Sequence, residues 1–181
     1  INEIGKIFTV LRLMMVLIAT IGIFMAYCLV SKLFGNNIAL LSWFIMLSAP
    51  VTYQATHSIE PHIFALPFYV ISFYYLFYSI KNNILFNYTI SAIFCGLVIG
   101  IQSTSFTIIF PFFASLIINY SNSKISVKEA FKYFIMYAFI SFVLFFLVNP
   151  YYLINYQEAI NQYKFGLIED KQYYMGYLNK G

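Results

Sequence analysis

Hydrophobic residues in this chain form long runs that short polar stretches separate. The longest run, residues 7–30, contains one charged residue, Arg12. As a helix it would reach about 36 Å, enough to cross the roughly 30 Å hydrocarbon core of a bilayer. The complete set of runs covers residues 7–30, 38–52, 63–80, 84–101, 106–120 and 134–148. The pattern therefore predicts six transmembrane crossings.

Two of these runs are short for a crossing and also contain a proline. Run 38–52 stops near Pro50, and run 106–120 contains Pro111 and spans the bilayer only if residues 103–105 belong to the same helix. Beyond the sixth run, a surface helix is predicted over about residues 153–162. We expect one all-α, polytopic helical bundle over residues 1–181, with residues 151–181 beginning an extracytoplasmic loop region.

Composition places the chain among integral membrane proteins. It has 181 residues, of which 62% are hydrophobic and 9% are charged, whereas soluble domains carry about 25% charged residues. The net charge of +4 does not indicate nucleic-acid binding, because the basic residues sit in separate loops and form no stripe. Cys28 and Cys95 each lie inside an apolar run, so they indicate neither a disulfide framework nor a thiolate metal site.

Lysine placement predicts the orientation of the bundle. The connections after the first, third and fifth runs carry lysines, and those after the second and fourth carry no Lys or Arg; the lysines are Lys32, Lys81, Lys124, Lys128 and Lys132. By the positive-inside rule the lysine-bearing connections are cytoplasmic. Residues 56–62, 102–105 and those after Asn149 would then lie on the extracytoplasmic side. The spacing of the last three lysines also predicts one basic helical face at a membrane surface.

The stretch 56–62 holds the chemistry that stands out from the apolar runs. Glu60 is the only acid between Glu3 and Glu129, and His57 and His62 flank it. Ionisable groups beside a bilayer are costly and usually functional, but Glu60 also suits a helix cap, with Pro61 at the first helical position. The imidazoles would donate hydrogen bonds to phosphate or sugar. A metal bound by all three remains an alternative, although their spacing matches no zinc pattern.

Three further features are candidates for binding or packing. Arg12 either snorkels to the interface or faces the bundle, where its guanidinium would pair with Glu60 or a phosphate. Tyr151 and Tyr152 follow Asn149-Pro150 on the outer side and are candidates for stacking on a sugar, with Tyr156 after them. Gly96 and Gly100 have the GxxxG spacing that permits close helix approach, or that arises by chance in a membrane helix.

Four segments give the chain a resemblance to a known family. They are LVSKLFGNNIALLSWFIMLSAP (29–50), SIEPHIFALPFYVISFYYLFYSIKNN (58–83), CGLVIGIQSTSFTIIFPFF (95–113) and LVNPYYLINYQEAI (147–160). In order and spacing they resemble the middle of the GT-C superfamily of polyprenyl-phosphate-sugar-dependent glycosyltransferases, in particular its protein O-mannosyltransferase-like and aminoarabinose-transferase-like members. The six runs look like that family's second to seventh helices.

The resemblance implies roles for several residues. Glu60 would match a second acidic residue of the family, which orients the acceptor or binds a divalent cation; no other cofactor is implied. Gln102 would sit in a turn that contacts the donor phosphate, where many relatives carry a basic residue. The family's catalytic base would precede Ile1, so we expect this chain to be an internal piece of a longer enzyme and inactive alone.

These observations favour an integral membrane glycosyltransferase that moves a sugar from a polyprenyl-phosphate donor to a lipid, glycan or protein acceptor on the extracytoplasmic face. We expect it to be a multi-pass protein of a bacterial cell membrane rather than of the endoplasmic reticulum. The alternatives are a transporter or lipid-linked sugar flippase, and a structural subunit. Transporters commonly show repeated halves and polar breaks at the bilayer midplane, whereas here the polar groups gather at one surface.

Overall fold

The structure, a computed structural model, describes residues 3–48, 61–82, 84–102, 105–158 and 160–161. These residues contain helices and no strand, which confirms the predicted all-α class. In chain order the helices are α1 (Glu3–Phe34), α2 (Asn36–Ser48), α3 (Pro61–Lys81), α4 (Ile84–Ile101), a 3-10 turn (Ser105–Ile108), α5 (Ile109–Ser121), α6 (Val127–Val148) and α7 (Tyr151–Ile154).

Four helices are long and apolar enough to cross a membrane. They are α1 over Lys6–Phe34, α3 over Ile63–Lys81, α4 and α6. Large apolar side chains on their surfaces are exposed, such as Leu147 at 70%, which suits contact with lipid rather than water. The described chain is thus a helical membrane bundle, as composition predicted.

The two remaining apolar helices are short, as their runs suggested. Helices α2 and α5 have 13 residues each, about 20 Å of helix. The 3-10 turn that starts at Ser105 leads directly into α5, so helical backbone extends over 105–121 and reaches about 27 Å. This agrees with the expectation that the fifth crossing includes Ser105; Ser103 and Thr104 lie outside the described residues.

The chain divides into two compact units, Ile1–Phe145 and Phe146–Gly181. Within the first unit α1 and α3 run in the same direction. Near their starts, Met15 packs in one cluster with Ile63, and near their ends the Lys32 Nζ donates a hydrogen bond to the Tyr74 Oη at 2.9 Å. The predicted single domain, with a loop region from residue 151, stays a prediction.

Helices α3, α4 and α6 are joined by buried serines. The Ser72 and Ser91 hydroxyls lie 2.9 Å apart, and Ser91 Oγ lies 3.2 Å from the Tyr137 Oη. Ser141 Oγ donates to the Ala92 carbonyl at 3.0 Å. Hydrogen bonds of this kind stabilise contacts between membrane helices, where no water competes for the groups.

Helix ends in the first unit follow from local backbone chemistry. Gly35 adopts φ +91° and its N–H bonds the Ser31 carbonyl at 3.0 Å, so a left-handed glycine ends α1. Helix α5 ends in a Schellman motif with Ser123 at φ +54°; the N–H of Lys124 bonds the Asn119 carbonyl at 3.0 Å and that of Ser123 bonds the Tyr120 carbonyl at 2.9 Å.

The single basic face predicted for Lys124, Lys128 and Lys132 is wrong. Ser126 is the N-terminal cap of α6: its backbone N–H donates to the Glu129 carboxylate at 2.7 Å, and the Glu129 N–H donates to the Ser126 Oγ at 3.3 Å. This reciprocal capping box starts a new helix. Lys124 therefore lies in the preceding turn, where its Nζ donates to the Ile80 carbonyl.

The second unit contains the predicted surface helix in a shorter form. Helix α7 begins at Tyr151, two residues before the predicted start, and follows Pro150. A bend at Asn155 ends it, and helical backbone resumes at residues 156–158. The predicted end at residue 162 lies outside the described residues.

Candidate functional site

The predicted polar mouth lies mostly outside the described residues, which include neither His57 nor Glu60. Helix α3 begins at Pro61, in agreement with a proline at the first helical position. His62 is in the first turn of α3, and its side chain is not among those described. The structure thus shows where α3 starts. Three described features lie toward the same end of the unit: Arg12, the connection between α4 and α5, and Tyr69.

Arg12 is the first of these features. It lies three residues before Met15 on one stripe of α1. The other members of this stripe, Met15, Ala19 and Ile23, are buried. Because Met15, Ala19 and Ile63 share a cluster and the two helices are parallel, Arg12 lies toward the end of this helix pair at which α3 starts. A long side chain on a helix points toward the N-terminus, here toward the membrane surface.

The Arg12 side chain is exposed. Among the described residues no carboxylate pairs with it, so the predicted partner, Glu60, is neither shown nor excluded. An unpaired guanidinium beside a bilayer is favourable only at the interface or with an anion. The exposed Arg12 is therefore accessible at this end of α1.

The second feature is the connection between α4 and α5. Gln102 follows the end of α4, its N–H bonding the Val98 carbonyl at 2.9 Å, and its own carbonyl accepts from the Ser105 N–H at 3.0 Å. The third feature is Tyr69, whose Oη donates to the Ser105 carbonyl at 3.4 Å. Tyr69 lies in the first half of α3, so Gln102 and Ser105 share the end of the unit at which α3 starts. We call this end, with Arg12, the Pro61 end.

Lysines define the opposite end. Lys32 contacts Tyr74 and lies 4.9 Å from the ring centroid of Tyr78, Lys81 ends α3, and Lys124 reaches Ile80. Tyr78 and Pro61 are 17 residues apart on one helix, about 26 Å. The grouping of polar turns and of lysines at opposite ends, expected from the sequence, is thus observed among the described residues. We call the second group the lysine end.

An apolar groove of about 540 Å³ runs along the first unit between α4, α5 and α6. Ile99 and Ile109 line it close to Gln102 and Ser105, and Cys95, Phe112 and Phe134 line it deeper in the bundle. Sequence reasoning missed this groove and Tyr69. Only the spacing of Phe112 and Phe113 after the polar turn hinted at an apolar slot there.

Tyr151 and Tyr152 belong to the second unit. Tyr151 is partly exposed, at 37%. Desolvation, followed by a hydrogen bond and charge interaction with Glu158, raises the pKa of Tyr151 above its ordinary value. The shift favours the protonated form of its hydroxyl. The stacking role of both tyrosines stays a prediction.

No group of three His, Cys, Asp or Glu side chains that would hold a metal occurs among the described residues. The alternative metal site at His57, Glu60 and His62 is not tested by this, because those side chains are outside the described set. The described part of the Pro61 end offers one guanidinium, an amide and backbone groups. Such a set binds an anion or a sugar by hydrogen bonds.

Comparison with known proteins gives one family. The family model described as dolichyl-phosphate-mannose-protein mannosyltransferase matches residues 1–152. Neither the curated proteins nor the solved structures include a significant match. The matched range contains α1 to α6 and both ends of the bundle.

Proposed function

The chain belongs to the dolichyl-phosphate-mannose-protein mannosyltransferase family, and from this we propose that it transfers a sugar from a polyprenyl-phosphate donor to an acceptor on the extracytoplasmic face of a bacterial membrane. Family membership makes it a membrane glycosyltransferase, and the family's name implies a lipid-linked sugar as the donor. The match over 1–152 is the observation that carries the proposal. The resemblance in the four sequence segments is in agreement with it.

The side of the reaction follows from charge. All lysines of the connections in the first unit gather at one end, and this end is cytoplasmic by the positive-inside rule. The Pro61 end then faces the other compartment. The donor sugar and the acceptor would meet there, beside the start of α3.

The protein must assist three events of the reaction. The acceptor group must lose a proton as it attacks the anomeric carbon, the bond from that carbon to the phosphate oxygen must break, and the departing phosphate must be stabilised. We assign Glu60 to the acceptor, which it would orient for attack, whereas the base that the resemblance implies precedes Ile1. A divalent cation at Glu60 would add charge stabilisation for the phosphate.

Arg12 is assigned to the donor phosphate. It is exposed and lies toward the end of α1 at which α3 starts, and a guanidinium matches two phosphate oxygens at once. Gln102, His57 and His62 would complete the hydrogen bonds to donor phosphate and sugar. Tyr151 and Tyr152 would provide ring faces for the acceptor or the sugar.

The apolar groove supports a prenyl-linked donor. The part of the groove at Ile99 and Ile109 adjoins the turn from Gln102 to Ser105. The rest of the groove lies deeper, between helices that include the membrane-crossing α4 and α6. A lipid that enters from the bilayer with its tail in this groove would present its phosphate at the Pro61 end.

The function is tested with the full-length protein in membranes that contain their own acceptors. Given polyprenyl-phosphate mannose labelled in the sugar, these membranes should form labelled acceptor and unlabelled polyprenyl phosphate in equal amounts, and membranes without the protein should not. A nucleotide-linked mannose should be inert. Passage of intact labelled donor across the bilayer without sugar release would instead establish a flippase and overturn the proposal.

Replacing Arg12 with leucine is expected to reduce transfer by about tenfold or more, because a charged hydrogen bond to phosphate contributes about 1.5–3 kcal/mol. The loss should appear as a higher KM for the donor, and Arg12→Lys should recover part of it. Lys6→Leu, on the same helix, is the matched charge control. Unchanged turnover in Arg12→Leu would show that Arg12 only snorkels to the interface.

A further inference from the structure

A second groove, of about 490 Å³, lies at the lysine end between α1 and α3. Its volume is within the roughly 300–1,000 Å³ of sites that hold small ligands. Cys28, Leu29 and Met25 line it on α1, and Ile71 and Tyr75 line it on α3. The α1 positions form one continuous stripe from Phe24 to Lys32, about 12 Å along the helix.

One charged group stands at the end of this otherwise apolar groove. The Lys32 Nζ donates to the Tyr74 Oη at 2.9 Å and lies 5.1 Å and 4.9 Å from the ring centroids of Tyr74 and Tyr78. An ammonium has three N–H donors; Tyr74 accepts from one and the Tyr78 hydroxyl also interacts with the ammonium, so at least one remains for a ligand. Among the described residues no carboxylate pairs with Lys32.

The surroundings at this end are also basic. Lys81 and Lys124 lie at the same end of α3. Glu129 is the described acid nearest to Lys124 in sequence. Its carboxylate accepts hydrogen bonds from the backbone N–H and the hydroxyl of Ser126. An anion that approaches the rim of the groove therefore meets positive charge without a competing intramolecular carboxylate.

We propose that this groove binds an anionic phospholipid of the cytoplasmic leaflet. One acyl chain lies along the stripe from Lys32 to Phe24, and the headgroup phosphate accepts hydrogen bonds from the Lys32 ammonium while the Tyr74 and Tyr78 rings hold that ammonium in place. Basic pockets between transmembrane helices on the cytoplasmic side are recognised as sites for anionic headgroups. The polyprenyl-phosphate donor is not the ligand, because its proposed site is at the Pro61 end, near the other membrane surface.

The proposal is tested on the full-length protein in nanodiscs that contain equal amounts of phosphatidylglycerol and phosphatidylcholine, with retained lipids counted by native mass spectrometry after transfer to detergent. The wild type should retain phosphatidylglycerol in preference. Lys32→Gln should lower this preference by about fivefold, the effect of one lysine near a membrane surface. Lys128→Gln, an equal loss of charge on α6, should leave it unchanged.

A second variant separates the groove from the charge. Cys28→Phe keeps Lys32 and fills the groove, and it should lose the bound phosphatidylglycerol as Lys32→Gln does. Three results would each overturn the proposal: equal losses in Lys32→Gln and Lys128→Gln, full retention in Cys28→Phe, and displacement of phosphatidylglycerol by added polyprenyl phosphate. The last would assign the groove to a donor-like lipid. None of these results depends on glycosyl transfer.

Discussion

Glu60→Gln in the full-length enzyme is expected to lower sugar transfer by about 100-fold, the usual cost of misplacing a reacting group. Glutamine keeps the volume and the hydrogen-bonding oxygen of the side chain but cannot accept a proton or carry charge at neutral pH. Glu60 is the only acid between Glu3 and Glu129, so no neighbour in that part of the chain replaces it. The rate of polyprenyl phosphate release measures the effect.

Stability separates the catalytic role of Glu60 from a capping role. A carboxylate at the N-terminus of α3 would contribute about 0.3–1 kcal/mol through the helix dipole, so a cap that is replaced by glutamine should cost only this amount and leave the rate near that of the wild type. Normal transfer together with slightly lower stability would therefore refute the catalytic assignment. If a divalent cation binds there, chelation should inactivate the wild type, and added cation should restore it.

Helix positions were predictable where polar residues interrupt the apolar runs sharply. Helix α4 occupies 84–101 as predicted, because Asn82-Asn83 and Gln102 bound it. Helix α3 covers Pro61–Lys81, which is close to the predicted range of 63–80. Bilayer thickness and the cost of polar groups in lipid determine these ends, and both are visible in composition.

The start of α6 was not predicted, because two signals compete there. Lysines at 124, 128 and 132 repeat with helical spacing, whereas Ser126 and Glu129 form a capping box that begins a new helix inside that repeat. A cap satisfies backbone N–H groups that otherwise have no partner. A repeat of exposed charges makes no such contribution.

The packed faces of the helices were also hidden from the hydrophobic pattern. A helix in lipid is apolar on the lipid side and on the protein side, so periodicity does not distinguish them. Some alanines mark packed positions: Ala19 on α1, Ala39 on α2, Ala65 on α3 and Ala92 on α4 are each 2% exposed or less. Close approach of helix backbones requires such residues.

For the candidate site, we could predict from the sequence at which end of the bundle each turn lies, but not which residues contact each other. Lysine placement was sufficient to group the polar turns at one end and the lysines of the connections at the other. The pairing of Tyr69 with Ser105 and the groove beside Gln102 depend on which helices are neighbours in space, and a single sequence does not contain that information.

Gly96→Ala is expected to destabilise the bundle by about 1–3 kcal/mol, the usual cost of overpacking. A Cβ at this position would lie 2.6 Å from the backbone carbonyl oxygen of Ser141 and 2.6 Å from the Cβ of Leu144. Neither atom is at the end of a flexible side chain, so α4 and α6 must separate. The separation should also break the bond from the Ser141 Oγ to the Ala92 carbonyl. Reversible unfolding in mixed detergent micelles measures the loss.

Gly22→Ala is the matched control, because it makes the same chemical change on a membrane-crossing helix. There the Cβ would meet only the Leu66 side chain, at 2.8 Å from its Cγ, and a leucine rotamer change relieves the overlap. The intrinsic preference of helices for alanine over glycine, about 1 kcal/mol, then offsets much of the remaining cost. Gly22→Ala should therefore stay within about 1 kcal/mol of the wild type. Equal losses of stability in the two variants would contradict a rigid backbone contact at Gly96. The GxxxG spacing of Gly96 and Gly100 would then be explained by chance.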